Sequence, residues 1–567
     1  MPKKVIVLGG GVAGMSAAHE LITRGFEVEV YEVKKIPGGK ARSIHVPNSA
    51  KDGRKPLPGE HGFRFFPRFY KHVTDTMKHI PYGNNPNGVL DNLVQADRAE
   101  MARYTKKPIK LLTRFPRDLA DLETLFKEVF DSDTGLEPHE IEFFAGRLWQ
   151  LMTSCYERRL AEYEKISWWD FIEADGKSEA YQNLLAIGLT RTLVAAKAKQ
   201  ASARTGGDVL LQLMFDIAEP GESSDRLLNG PTNDVWVDPW LSFLQEKGVN
   251  YQLEATIKSI NCSGENITSA TIEKAGETFE VQGDYYIAAV PVEVMARLLN
   301  DDLLKADAGL ATIKDLAQSV SWMNGIQFYL NTDVKIVHGH TIYINSEWAL
   351  TSISQAQFWE HINLANYGDG TVKGILSVDI SDWYTPGELH KKPASQCTRE
   401  EIKEEVWHQL KKSLDALGAE VLKDEYLHDW FLDPDIVFPV EKNQGTQKDT
   451  NIEPLLVNKK DTWRLRPESY TAIPNFFLAS DYVRTYTDLA TMEGANEAAR
   501  RAVNHIIDTA KLDLPKCELW KLHEPDILEL WRAKDKERFD KGLPWDGEFV
   551  GEGCLNAIMK PFRKIFS

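Results

Sequence analysis

The sequence predicts an α/β fold organised on a parallel sheet, and three adjoining stretches near the start predict it. Val5–Leu8 is an unbroken apolar run, as a strand buried on both faces of a sheet requires. It feeds directly into Gly9-Gly10-Gly11-Val12-Ala13-Gly14, and a helical stretch follows from Met15 to about Thr23. Gly25 ends that helix, and Phe26–Glu32 alternates as a second strand closing on an acid. Strand, glycine turn, helix, strand and terminal acid in this order give the spacing G-x-G-x-x-G its meaning. Together they specify a Rossmann-type dinucleotide-binding unit.

Each residue type in the turn answers a physical need. Gly9 permits the tight bend, Gly11 lets the backbone approach a pyrophosphate, and Gly14 lets the helix pack closely on the strand. The unpaired N–H groups around Val12 and Ala13 then face the phosphates. Glu32 stands at the offset expected of a residue that accepts from a ribose hydroxyl.

The segment Lys34–Ser43, KKIPGGKARS, resembles the one that follows the ribose-binding acid in glutathione-reductase-like flavoproteins, in the FAD-dependent amine oxidase and phytoene desaturase branch. That resemblance implies FAD as cofactor. It places Arg42 along the pyrophosphate, with Gly38, Gly39 and Lys40 passing close to it. Three further stretches carry the same resemblance. In Gly59–Tyr70, GEHGFRFFPRFY, charged residues are embedded among aromatics, which is costly without a partner or a purpose. The resemblance lays Glu60, His61, Gly62, Phe63 and Arg64 near the isoalloxazine ring, with His61 and Arg64 the candidates for catalytic assistance. Arg484, Thr487 and Asp488 are second choices, and Glu60 has a structural role as its alternative.

From Asn233 to Leu299 a helix, a strand from Tyr251 to Ile260, a β-ribbon, GDYYIAAVP and a short helix resemble the second FAD-binding segment, where the backbone at Ile257 meets the adenine. Finally, Phe476–Asp481 is an apolar strand ending in an acid, and Thr491–Ala495 begins a helix running to about Ile507. The resemblance assigns Asp481 to the ribitol–pyrophosphate end and the helix start at Met492 and Glu493 to the ring, where the positive end of the helix dipole favours negative charge. Ser480 stands where the family usually has glycine.

The expected architecture is therefore α/β, a Rossmann-type FAD-binding domain built from discontinuous segments with an inserted α+β substrate domain. The FAD-binding parts are 1–104, 230–300 and 466–510. The substrate domain comprises 105–229 and 301–465, and 511–567 is an appendage. Helices are expected at Asp118–Val129, Glu140–Glu157, Ser167–Ile172 and Ser178–Lys199, and near Ser354–His361. Strands are expected at Gly325–Leu330 and Gly374–Asp379. A capping box of Thr398 with Glu401 opens a surface helix that stops at Gly418.

A chain of 567 residues with 43% hydrophobic and 27% charged residues is a folded protein of more than one domain. Its net charge of −17 argues against nucleic acid as a partner. Five scattered cysteines without C-x-x-C spacing indicate neither a disulfide framework nor a zinc site, and fit a reducing, cytoplasmic compartment. His338 and His340 lack a third ligand, so no metal is assigned. No signal peptide is expected, and no apolar stretch approaches the roughly 20 residues that span a bilayer. At the end, CLNAIMKPFRKIFS (554–567) sets basic residues beside an apolar helical face, a pattern of peripheral membrane contact or of a tail packed on its own domain.

EHGFRFFP and DYVRTYTDLATMEGANEAARRAVN look most like the bacterial phytoene desaturase and hydroxysqualene dehydroxylase-like set. That implies an FAD-dependent oxidoreductase desaturating a long hydrophobic isoprenoid or polyene by hydride transfer to flavin N5, with a quinone or O2 as electron acceptor. The alternatives are a flavin-dependent reductase, dehydroxylase or cyclase acting on a terpenoid or polyketide polyene, and an amine or amino-acid oxidase. Against the last, Trp322–Leu330 has no lysine where many amine oxidases carry one near the flavin. No cysteine lies between Cys397 and Cys517, where monoamine oxidases attach FAD, so the implied FAD is non-covalent.

Overall fold

The computed structural model describes residues 2–114, 134–190, 197–415, 418–438 and 450–547. The chain opens with strand β1 (Lys4–Leu8), helix α1 (Val12–Ile22) and strand β2 (Glu27–Tyr31). β1 is the centre of a five-stranded parallel sheet in the order Phe476–Leu478, Tyr285–Ala288, β1, β2, Asn250–Gln252. Its four apolar residues are fully buried, each contributing about 1.5–3 kcal/mol. Val5 and Val7 pack with α1 and the Met492–Thr509 helix on one face. Ile6 and Leu8 pack on the other face against the ribbon of Ala255–Ser263, Asn266–Lys274 and Glu277–Val281. Covering both faces removes any need for polar alternation, which is why the run is continuous.

After β2 come the short antiparallel pair β3 (Ser43–His45) and β4 (Pro58–Glu60), then helix α2 (His72–Lys78). The chain enters a second sheet at Arg98, earlier than the boundary at residue 104 drawn from sequence. This sheet has seven strands, ordered Leu427–Leu432, Asn324–Leu330, Gly374–Ile380, Leu350–Ser354, His340–Tyr343, Arg98–Ala102, Ile109–Leu112. All its neighbours are antiparallel except His340–Tyr343 with Arg98–Ala102. The Arg399–Leu414 helix covers it through Ile402, Val406, Leu410 and Leu414, opened by the Thr398–Glu401 capping box.

A helical layer of Pro138–Thr153, Tyr156–Ala161, Trp168–Phe171 and Ala203–Ala218 closes around Leu148, Leu151, Trp168, Phe171, Tyr181 and Leu211. The Glu529–Asp540 helix of the appendage docks on it, with Arg158 Nε bonded to both Asp535 oxygens at 2.9 and 3.0 Å. Among the described residues no helix is long and apolar enough to cross a membrane.

Several expected elements differ. The stretch 354–361 holds the end of a strand and a single turn, Ala356–Phe358, in place of a helix. Leu350–Ser354 is buried on both faces, so it lacks the alternation that marks a strand. The 105–229 stretch begins and ends in strands, Ile109–Leu112 and Asp225–Leu228. Its expected helix 140–157 breaks at Ser154, whose hydroxyl donates to Gln150 O, and Cys155 starts the next helix. Tyr251–Ile260 divides between two strands, which turn at Glu254 with φ +56°. The helix at 178–199 is described only in part, as Glu179–Tyr181 followed by the wider Gln182–Gly188 turns. The helix expected at 118–129 and the tail 554–567 lie outside the described residues.

Candidate functional site

The site grows from the C-terminal end of β1, where parallel strands leave a crevice for ligands. Gly9 bends with φ +110°, and its N–H donates to Tyr31 O at 2.9 Å. A side chain there would meet Ala289 O at 2.5 Å. Gly11 caps α1 without a side-chain hydrogen bond, and the first turn contains no acid. The backbone N–H groups at Val12, Ala13 and Gly14 are therefore offered to a ligand. Glu32 is buried with one oxygen on Gly10 N at 2.7 Å and the other on Lys34 N at 2.8 Å. Burial raises its pKa despite those two backbone bonds.

A second glycine turn backs onto the first. Gly38 N donates to Gly10 O at 3.2 Å, and a Cβ on Gly39 would lie 2.9 Å from Gly11 Cα. Glycine at position 39, with φ +56°, permits this approach. Tyr251 supports it from beneath, its hydroxyl donating to Gly10 O at 2.6 Å. Sequence reasoning missed Tyr251. Its signal was the polar-tipped residue in the strand that pairs with β2. Lys40 Nζ donates to Pro454 O and lies 3.6 Å from Glu293. Arg42 is buried, its guanidinium 2.7 Å from both Asp435 and Glu453. Neither acid was singled out from sequence.

The Glu60–Arg64 loop joins this floor to the seven-stranded sheet. Glu60 N donates to Gln327 Oε1 at 3.0 Å, and His61 O accepts from Gly325 N at 2.7 Å. Phe63 N donates to Asp379 Oδ1 at 3.3 Å, and a Cβ on Gly62 would meet that oxygen at 2.6 Å. The Glu60 carboxylate accepts from Thr232 N and Oγ1, and burial pushes it up to about 7. Burial likewise pushes Asp379 up to about 6. The Arg64 guanidinium donates to Gly62 O at 2.5 Å, Lys40 O at 2.7 Å and Ala41 O at 3.3 Å. It thus staples the ring-side loop to the phosphate-side loop. His61 Nδ1 lies 2.6 Å from Asp433 and 3.3 Å from Asp435.

The remaining candidates sit around the same crevice. Ile257 is part-buried just after Ala255, whose N–H donates to Glu32 O at 2.8 Å. Asp481 follows the Phe476–Leu478 strand, with Ser480 Oγ 3.3 Å from its carboxylate and its carbonyl accepting from Arg466 at 2.8 Å. Met492 and Glu493 open the Met492–Thr509 helix, capped by Thr491 Oγ1 on Gly494 N. The Glu493 carboxylate turns away to cap α2, accepting from Lys71, His72 and Val73 N at 2.8–2.9 Å and contacting His72 Nδ1 at 2.7 Å. Burial works against its charge, but these donors hold its pKa below the usual carboxylate range. Replacing Glu493 with alanine is expected to cost about 1.5–3 kcal/mol in denaturant unfolding, the value of hydrogen bonds to a charged group. Unchanged stability with weakened FAD binding would instead place this carboxylate on the cofactor.

Of the second choices, Arg484 pairs with Glu468 at 3.2 Å and stacks over Trp463. Thr487 leans on Glu497 at 3.4 Å. Asp488, at φ +44°, is bonded to Arg204 and Thr205 and lies 3.2 Å from Arg466.

His61, Asp435 and Glu453 bring donor atoms within 4.8 Å of one another. Arg42 and Lys34 already neutralise both carboxylates, so the group is an ion-pair network and no metal is assigned to it. His340 is 2.5 Å from Asp225, and His338 lies 4.0 Å from Asp97.

The paired glycine turns and the uncapped start of α1 offer backbone donors, and the buried Glu32 an acceptor, in an arrangement that suits a dinucleotide. A family model for flavin containing amine oxidoreductases matches residues 12–507. The 15-cis-phytoene desaturase of Arabidopsis thaliana is 22% identical over 507 residues, covering 87% of this chain and 78% of that one. The zeta-carotene desaturase of Synechocystis is 22% identical over 525 residues, covering 89% and 97%. Cyclohexylamine oxidase from Brevibacterium oxydans shares the fold with a TM-score of 0.56 at 12% identity, over 90% of this chain and all of that one. The chain accordingly belongs to the flavin containing amine oxidoreductase family and is an FAD-dependent oxidoreductase.

Proposed function

We propose that this protein desaturates a long apolar isoprenoid polyene. The observation that carries the reading is the near end-to-end match to phytoene and zeta-carotene desaturases, across both sheets and the helical layer. Bound non-covalently, FAD supplies a hydride-accepting ring. In this reading Gly9, Gly11, Val12, Ala13, Gly14, Gly39, Lys40 and Arg42 receive the pyrophosphate, and Glu32 and Ile257 the adenosine. Gly62, Phe63, Arg64, Asp481, Met492 and Glu493 flank the flavin end. Because the Arg64 guanidinium is spent on three loop carbonyls, its part is to hold the two loops together. The aromatic edge of Phe63 and Phe65, packed on His340, gives the loop an apolar wall that excludes water from a reacting C–H. A quinone or O2 is the proposed electron acceptor. Peripheral contact of 554–567 with a membrane is the proposed route to a greasy substrate.

The test uses the full-length FAD-loaded protein with phytoene in phospholipid vesicles and a soluble quinone, under anaerobic conditions. Desaturation appears as new, longer-wavelength polyene absorption bands that depend on the quinone. Peroxide release with primary amines, and an unchanged polyene spectrum, would overturn the reading in favour of an amine oxidase.

A further inference from the structure

Beside the cofactor floor, three carboxylates and three basic side chains cluster, with Asp433, Asp435, Arg42 and His61 buried and Lys34 and Glu453 partly exposed. Asp435 and Glu453 are each shared by Arg42, at 2.7 Å, and by Lys34, at 3.2 and 3.3 Å. Asp433 is fully buried and is contacted by neither of those cations; its Oδ2 lies 2.6 Å from His61 Nδ1. The same oxygen accepts from Asn324 Nδ2 at 2.6 Å, and Asn324 accepts in turn from Asn451 at 2.7 Å. The other Asp433 oxygen takes Asp435 N at 3.0 Å. The carboxylate is thus fixed by two hydrogen bonds and lies against one nitrogen of the imidazole.

With Lys34 and Arg42 set against Asp435 and Glu453, the cluster is neutral only if His61 carries the charge that matches Asp433. Burial opposes that charge, but Asp433 and Asp435 outweigh it and raise His61 to about 9. Arg42, Arg64, Glu453 and Asp379 are the other charged groups facing it. Both ring nitrogens are buried and neither makes a regular hydrogen bond among the described residues; Nδ1 meets Asp433 as an ion pair at 2.6 Å, and Nε2 faces no charged partner there. A buried charged donor left in this way is destabilising unless something meets it.

We propose that Asp433 is a positioning residue that holds His61 as an imidazolium, with its Nε2–H presented as a charged hydrogen-bond donor to the flavin. This rests on the cofactor reading above. A cation at that place compensates the negative charge that arrives with a hydride, so it favours the reduced form. No bond to His61 forms or breaks in this role.

The experiment measures the midpoint potential of the FAD-loaded full-length protein between pH 6 and 10 by dye-coupled reduction. In the wild type the pH dependence bends near pH 9 as His61 loses its proton. His61→Gln is expected to remove the bend and to lower the neutral-pH potential by at least a tenfold shift toward the oxidised form, about 30 mV for a two-electron couple. Asp433→Asn moves the bend toward neutral pH, and Asp433→Glu, which keeps the charge, retains it. A purely packing role would not follow charge in this way. FAD binding with an unaltered potential and bend in His61→Gln overturns the proposal alone. A wild-type chain that takes up no FAD overturns it together with the cofactor reading.

Discussion

Replacing Gly11 with alanine is expected to weaken FAD binding about 5- to 150-fold while leaving the fold intact, and replacing Gly14 with alanine is expected to damage the fold itself. The two glycines belong to one motif but answer different constraints. Gly11 has φ −74° and ψ −172°, a conformation alanine adopts freely. Its added Cβ would lie 3.6 Å from the nearest atom, Gly39 Cα, an ordinary contact. Nothing in the protein forbids a methyl group there. What forbids it in this reading is a pyrophosphate approaching the backbone, and overpacking such a contact costs roughly 1–3 kcal/mol, which sets the affinity range. A Cβ on Gly14, by contrast, would sit 1.9 Å from Gly9 O, so helix and strand would have to separate. Fluorescence titration with FAD and thermal unfolding of the cofactor-free chain separate the two effects. Equal unfolding midpoints for both variants, or undiminished FAD affinity in Gly11→Ala, would defeat this account.

Replacing Arg204 with methionine is expected to cost on the order of 3–5 kcal/mol, the largest single effect on stability anticipated here. Arg204 is 3% exposed and sits between two acids of different origin. Its Nη2 donates to Asp488, on the loop before the Met492–Thr509 helix, and its Nε lies 3.3 Å from Glu164 of the helical layer. The guanidinium also stacks over Trp463 at 4.4 Å. Methionine would fill much of the space but leave Glu164 without its cation and Asp488 with only Arg466. Uncompensated buried charge is the dominant penalty. Arg464→Ala is the control: its pair with Asp461 is 67% and 45% exposed, and its loss is worth only about 0–1 kcal/mol. Urea unfolding of both variants decides the matter. An Arg204→Met midpoint no lower than that of Arg464→Ala would show that the buried network contributes little.

These two cases show which parts of the molecule are readable from local sequence. The β1–α1–β2 unit was legible because each requirement is met within a few residues: an apolar run, a bend at Gly9, a close packing point at Gly14, an acid at the strand end. The Thr398 capping box was legible for the same reason. The strand Leu350–Ser354 was not, because burial on both faces erases the period that distinguishes strand from helix. Glu493 was placed on the correct helix end, yet the direction of its carboxylate depends on α2 arriving from far away in the chain.

The sequence by itself determined the dinucleotide-binding unit, the identity of its glycines and acid, and, through family resemblance, the flavin. Only the tertiary structure decided that Arg64 ties two loops, that Tyr251 supports the glycine turn, that Asp433 faces His61, and that Arg204 and Asp488 meet across the helical layer. The reason is physical. Backbone conformation is set by neighbours within a turn of chain, whereas the partner of a buried charge is set by which distant loops share a low-dielectric interior, and no local pattern records that.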